Sequence, residues 1–385
     1  MVTADLVKKA VAWRRHLHSI PELAYEEHET SAFVAGLLVE FGLSVETGYA
    51  GTGVVGSLKK GVSERAIGLR ADMDALPILE RAEIAYRSTK PGRMHACGHD
   101  GHMAMLLAAA AMAHSLDFDG TVRFIFQPAE ENEGGGRRMV EEGLFRKLPV
   151  DMVFGLHNWP QLPVGAFVAG DGPIMAAFST FDIEITGKGA HGAMPHEGVD
   201  PIVAGCAVVS ALQSVVSRNV SPLDTAVLSV TQIHAGDAYN VIPDRIVIRG
   251  TGRWFSEEAG DSLETRLRKI ARDVAQAHDC LCEVRYQRRY PATVNDAAAA
   301  SRARAAAGYA GLVVQPSLPS MASEDFAFML GAAPGAYGWL GSAKEDENPG
   351  LHSPHFDFND AVIENGVRYW TGLIDTCLAR PTAGA

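Results

Sequence analysis

The stretch Thr121-Val-Arg-Phe-Ile-Phe-Gln-Pro-Ala-Glu-Glu131 reads as a β-strand over Thr121–Gln127, rich in β-branched and aromatic residues. Pro128 ends the strand, because proline has no backbone N–H to donate to a sheet, and two adjacent glutamates follow. Outward from there, short apolar runs at Val54–Leu58, Ala66–Arg70 and Asp151–His157 predict further strands. Helical spacing runs from about Leu6 to Leu17, from Thr30 to Phe41 with Gly42 as its stop, and from Gly101 to His114. A short helix is expected at Arg137–Glu142. Strands alternating with helices predict an α/β fold, with a mixed, mostly parallel sheet flanked by helices.

The pattern changes near Ala177. Phe178–Thr186 alternates like a half-buried strand, Pro201–Ser217 reads as a helix, and Ala226–Ile233 and Arg245–Arg253 read as strands. Ser256–His278 is a long helical stretch and Cys280–Tyr290 another strand. This β-α-β-β-α-β order is the split βαβ, ferredoxin-like arrangement, a smaller α+β domain. The expected division is residues 1–177 and 294–385 for the larger sheet domain, with residues 178–293 inserted into it.

At 385 residues the chain is too long for one compact core. Its net charge of −12 argues against nucleic acid or an anionic membrane as partner, since phosphate binding needs a basic footprint. The longest apolar run, Met103–Ala113, is too short to span a bilayer and reads as a buried helix. Val7–His18 is rich in Lys, Arg and His, so no secretory leader is expected. The cysteines, Cys97, Cys206, Cys280, Cys282 and Cys377, are scattered and odd in number, which fits a reducing cytoplasm.

Four segments place metal-binding side chain types at or after strand ends, where open α/β sheets build their sites. They are His95-Ala-Cys-Gly-His-Asp100, Gln127-Pro-Ala-Glu-Glu131, Gly155-Leu-His157 and Leu351-His-Ser-Pro-His-Phe356. Gly98 permits the sharp course that would aim both Cys97 and His99 inward. A thiolate beside imidazole suits zinc and its transition-metal neighbours. Asp100, or another nearby carboxylate, is expected to orient His99. In the Glu130-Glu131 pair, one carboxylate can bind metal while the other serves as a general base. Singly, each segment also fits a plain reading: a buried Cys in a turn, a solvated acidic loop, a rim histidine, a loop histidine. Together, Cys97, His99, Glu131, His157 and His352 form a ligand set sufficient for two metals sharing a bridging group.

Further ordered motifs accompany these segments. They are Arg15-His-Leu-His-Ser-Ile-Pro-Glu-Leu23, Leu69-Arg-Ala-Asp-Met-Asp-Ala-Leu-Pro77, Gly189-Ala-His-Gly-Ala-Met-Pro-His196, Asn240-Val-Ile-Pro-Asp244 and Ser323-Glu-Asp-Phe326. With them the chain resembles, over nearly its whole length, the aminoacylase and carboxypeptidase-G superfamily of metallopeptidases. The similarity is to its amidohydrolase branch of hippurate hydrolases, N-acyl-amino-acid amidohydrolases and hydrolases of auxin–amino-acid conjugates. The resemblance implies that Cys97 bridges two divalent ions per subunit (Mn, Zn, Co or Ni). One ion would also be held by His99 and His157, or by a similar division of the set, with Glu131 and His352 completing the pair. It implies Glu130 as the general base, and His191, Asn240 and Arg253 as substrate-contacting residues of an inserted lid and dimerisation domain. A homodimer or higher homo-oligomer follows from the same resemblance. Other branches carry Asp where Cys97 stands and His where Asp72 stands, so this is the thiolate version. Many relatives have Gly after Glu131, where this chain has Asn132-Glu133.

The residues have a physical case of their own. His191 follows the flexible turn Gly187-Lys-Gly-Ala and could face a developing oxyanion. Arg253 can clamp a carboxylate through its fork, and Asn240 can donate an amide N–H. Asp74, at a strand end with Asp72, reads either as an orienting carboxylate or as a turn residue. The expected activity is hydrolysis of the amide bond of N-acyl amino acids to a carboxylic acid and a free amino acid. The alternatives are a dipeptidase or carboxypeptidase, a deaminase of an aromatic amine, or an inactive metal-binding scaffold.

Overall fold

The computed structural model describes residues 2–131, 133–344 and 349–380. The chain divides into two compact units, one of residues Met1–Ile174, Thr293–Leu318 and Asp325–Ala385, the other of Met175–Ala292 and Pro319–Glu324.

The larger unit is built on an eight-stranded sheet. Its centre is four mutually parallel strands in the order Gly120–Gln127, Ala66–Asp72, Met152–Trp159 and Gly335–Gly341. Antiparallel neighbours Gly53–Lys60 and Ser44–Tyr49 extend one side, and Ala166–Val168 with Val313–Val314 the other. The mixed, mostly parallel sheet is thus the one expected. Ala66–Asp72 is buried along its whole length, as a strand covered on both faces must be. The helix His99–Met112 is also almost wholly buried, and its run of alanines lets it pack against the helices Ala4–Ser19 and Ile363–Leu378.

Four sheet strands escape the sequence pattern, among them the two- and three-residue strands Val313–Val314 and Ala166–Val168. Ser44–Tyr49 is a mostly exposed edge with little apolar alternation. Gly335–Gly341 is a fully buried central strand that carries three glycines, a residue depleted in strands. Close approach explains the glycines: a Cβ on Gly335 would lie 2.1 Å from Val153 O, and one on Gly338 would lie 2.7 Å from the Phe167 ring.

The second unit has a four-stranded, fully antiparallel sheet in the order Ala226–Ala235, Arg245–Trp254, Ala177–Thr186, Leu281–Tyr290. With helices Pro201–Asn219 and Glu257–Ala277 the chain order is β-α-β-β-α-β. Ala259, Leu263, Leu267, Ala271 and Ala275 are buried at every fourth position and form one apolar stripe on the second helix. They meet Phe181, Ile183, Ile246 and Ile248 from the inward face of the sheet. Each fully buried Leu or Ile contributes roughly 1.5–3 kcal/mol relative to exposure. Asp200 and Ser256 cap the two helices through their side chains. Among the described residues, Pro201–Asn219 is the one helix long and apolar enough to cross a membrane; here it buries Ala204, Val208, Leu212 and Val215 in the core of its unit.

Candidate metal centre

The centre lies where the parallel strands of the larger unit end. Ala66–Asp72 leads into Asp74, Gly120–Gln127 into Glu130 and Glu131, and Met152–Trp159 carries His157 near its end. Cys97 precedes Gly98, the left-handed N-cap (φ +94°) of the helix that His99 begins. The sequence reading had His99 in the turn before this helix. A Cβ on Gly98 would come within 2.3 Å of Asn158 Oδ1, so only glycine lets the turn approach that strand.

Ligand atoms of Cys97, His99 and His157 all lie within 4.8 Å of one another, and so do those of Cys97, Glu131 and His352. Cys97 is shared by both sets. His99, Glu130 and Glu131 form a third such group, which puts Glu130 beside the first two.

Ring orientation suits coordination. The His99 Nδ1–H donates to Asp74 O at 2.9 Å, and the His157 Nδ1–H to Asn158 O at 2.7 Å. Each ring is thereby left with its Nε2 lone pair for a ligand. His157 Nε2 stands 3.4 Å from the Cys97 sulfur, while the buried His99 Nε2 has no hydrogen-bond partner. His352 Nε2 is 3.2 Å from Glu131 Oε1.

The electrostatics ask for a cation. Burial, then the carboxylates of Glu131, Glu130 and Asp72, push the Cys97 thiol well above its usual range. Burial opposes charge on His99, but Asp72, Asp74 and Glu131 outweigh it and carry the imidazole up to about 10. Burial, then His102, hold His157 neutral, well below its usual range. Without a metal such a cluster gathers protons; a divalent ion supplies that charge instead and deprotonates the thiol. The donor set of thiolate, imidazole and carboxylate therefore fits transition-metal ions.

Of the two acidic residues that the sequence offers as orienters of His99, Asp74 and Asp100, one touches it. Asp100 does not orient His99: its Oδ2 forms an ion pair with Arg14, 2.8 Å from Nε, and accepts from His18 Nδ1 at 2.8 Å, both on helix Ala4–Ser19. Asp74 instead holds two of the candidate ligands, through its carbonyl to His99 and through Oδ2 to the Glu131 amide at 2.9 Å. His102, which the sequence did not single out, lies one turn beyond His99 on the same helix face. Its Nδ1 is 2.6 Å from Asp72 Oδ1, and its Nε2 lies 2.6 Å from Asn158 Oδ1 and 3.0 Å from the Asn158 backbone nitrogen. Asp72 also accepts from Arg70 at 2.8 Å. His102 and Asp72 thus have their polar atoms engaged and brace the ligands. Spacing to His99 was the one available signal.

Backbone strain gathers at this centre. Ala129 and the half-exposed His352 are non-glycine residues in the left-handed region, at φ +56° and +65°. The His352 amide is tied to Ala96 O at 2.8 Å. Asn132 lies outside the described residues.

In the second unit, His191 sits on a short two-stranded ribbon paired with Val241, and Gly192 N donates to Asn240 O at 2.8 Å. His191 and Asn240 are therefore neighbours. The Ala193 amide donates to His191 Nδ1 at 3.0 Å, which leaves the ring proton on the exposed Nε2. Arg253 stacks over the Phe178 ring at 4.6 Å and donates to Ser323 Oγ at 3.0 Å. Its burial lowers its pKa.

Comparison with known proteins gives a consistent result. Residues 68–376 match the profile of peptidase family M20/M25/M40. The chain is 41% identical over 362 residues to an N-acetyl-L-cysteine deacetylase of Bacillus subtilis, covering 94% of this chain and 86% of that protein. It is 41% identical over 365 residues to a hippurate hydrolase of Campylobacter jejuni, covering 94% of each. Among solved structures, a dinuclear metal-binding peptidase of family M20 from Bacillus subtilis superposes with a TM-score of 0.84 at 33% identity, over 97% of this chain and 98% of that one. With the central parallel sheet and the cysteine-centred ligand cluster at its strand ends, these matches establish that the chain belongs to peptidase family M20/M25/M40.

Proposed function

We propose that the protein is a metal-dependent amidohydrolase that cleaves N-acyl amino acids with two divalent ions per subunit. The observation that carries this reading is the pair of ligand groups sharing Cys97, with Glu130 beside them. In this reading Cys97 would be shared between the ions, with His99, His157, Glu131 and His352 as the remaining ligands. The deacetylase and hippurate hydrolase relatives, each named for acting on an N-acyl amino acid, support the substrate class.

Bound divalent ions would polarise the amide carbonyl and lower the pKa of a water toward neutrality. Glu130 takes the proton from the attacking water and returns it to the leaving amine nitrogen. Asp74 and the Asn158 carbonyl keep both imidazoles in their coordinating tautomer. His191, with its proton on Nε2, serves the developing oxyanion. Arg253, whose polar partners among the described residues are the Ser323 hydroxyl and the Met321 carbonyl, binds the substrate carboxylate with Asn240. Manganese, zinc, cobalt and nickel all suit the donor set. A cytoplasmic homodimer is the expected form.

The test is a panel of N-acetyl, N-benzoyl and indole-3-acetyl amino acids, with dipeptides and an aromatic amine alongside, scored by release of free amine. Chelator-sensitive release from the acyl conjugates is expected. Release from dipeptides or the aromatic amine alone would move the activity to a peptidase or a deaminase. Glu130→Gln should lower kcat by about 10²–10⁴-fold with the metal content unchanged. A variant that kept the wild-type rate would remove Glu130 from the role of base.

A further inference from the structure

Glu27 is a fully buried carboxyl at the N-cap of helix His28–Glu40, yet its side chain does not cap that helix. It reaches instead across the fold to the turn that follows strand Gly120–Gln127. Its Oε1 accepts from the Ala129 amide at 2.9 Å, and its Oε2 from the Thr52 hydroxyl at 2.6 Å. Thr52 is itself buried.

The Ala129 amide is an unusual partner. Pro128 before it has no N–H, and Ala129 lies at φ +56°, a conformation that costs an L-residue of this kind free energy. Two residues on, the Glu131 amide is held by Asp74 Oδ2 at 2.9 Å. Behind them Gly135 N closes the turn onto Ala129 O at 2.9 Å. Two interior carboxylates, Glu27 and Asp74, thus grip alternate amides, and Glu130 stands between the gripped residues. Burial, followed by the charge of Asp74, pushes the Glu27 carboxyl up to about 7. A carboxyl group carried into the interior against that penalty is explained by the bonds it makes.

We propose that Glu27 is a positioning residue for the base-bearing turn, locking Ala129 in its left-handed conformation so that Glu130 and Glu131 keep their places. The role rests on the reading of Glu130 as general base. It is not a charge role: a glutamine at position 27 can accept from Ala129 through its carbonyl oxygen and donate to Thr52 through its amide.

The experiment compares Glu27→Ala, Glu27→Gln and the double variant Glu27→Ala/Ala129→Gly in the metal-loaded enzyme, with Ala129→Gly alone as reference. Kinetics are measured on one N-acyl amino acid, with metal stoichiometry and Tm alongside. Glu27→Ala should lower kcat by about 10- to 100-fold, the rate equivalent of leaving the buried Ala129 amide without its acceptor, with KM within about threefold. Glu27→Gln should keep most of the rate. Glycine at 129 adopts the left-handed conformation without strain, so the double variant should recover at least about threefold of the lost kcat. A merely structural role for Glu27 predicts no such rescue. Wild-type kcat in Glu27→Ala, or a deficit that Ala129→Gly leaves untouched, overturns the proposal. If Glu27→Ala does not fold, Thr52→Val, which deletes one of the two bonds, should lower kcat more than KM, and an unchanged kcat there overturns it equally. Glu130→Gln, measured in parallel, keeps the two readings apart: loss in Glu130→Gln without loss in Glu27→Ala sinks the positioning role alone.

Discussion

His18 is buried with both ring nitrogens on carboxylates, Nδ1 2.8 Å from Asp100 and Nε2 3.2 Å from Glu80. Burial alone would lower its pKa, but Asp100 and Glu80 outweigh burial and carry it up to about 9. The unfolded value is about 6.5. The protonated ring therefore stabilises the fold fully below pH of about 6.5, and that contribution is lost as pH rises through about 9. Compared by urea unfolding, His18→Gln should be less stable than the wild type by about 2–3 kcal/mol at pH 6, and the gap should narrow by pH 10. A gap independent of pH would mean that His18 is neutral in the folded protein. The ligand candidates were legible as residues because each ends a strand or opens a loop with a chemistry-bearing side chain. Glu27, His18, His102 and Asn158 were not singled out as partners. Their significance lies in contacts that sequence spacing does not encode, such as the 102 positions between Glu27 and Ala129.

The helix His99–Met112 illustrates the next scale. Its existence follows from its apolar run, but its start depends on Gly98, whose positive φ and contact with Asn158 leave no room for a side chain. Gly98→Ala should destabilise the protein by about 1–3 kcal/mol and weaken metal retention, because the turn that aims Cys97 and His99 must shift. Thermal unfolding and metal analysis after gel filtration would check this, and unchanged values in both would show that the turn tolerates a Cβ. The strand Gly120–Gln127 and the alternating strands of the second unit were readable because burial on one or both faces leaves a period in the residues. Gly335–Gly341 carries no such period, since its glycines answer to neighbouring side chains rather than to strand propensity.

At the scale of the molecule, the five candidate ligands all belong to the larger unit, although they come from positions as far apart as Cys97 and His352. Hydrogen exchange followed by mass spectrometry, with and without chelator, should show lost protection confined to that unit, at the turns around 97–99, 129–131 and 350–353. A bound ion stabilises only the state that assembles its ligands, by about 2.7 kcal/mol at a hundredfold excess over Kd. Equal deprotection of Ala177–Thr186 and Glu257–Ala277 would contradict this localisation.

The five candidate ligands also differ in exposure. Cys97, His99 and His157 are buried, Glu131 is nearly so, and the His352 side chain is 52% exposed. The interior ligands are fixed by the sheet and its helices, whereas His352 hangs on a strained loop tied by its amide to Ala96. Solvent thus reaches the candidate set chiefly at one loop, so a change in that loop alters the exposed member without touching the buried three.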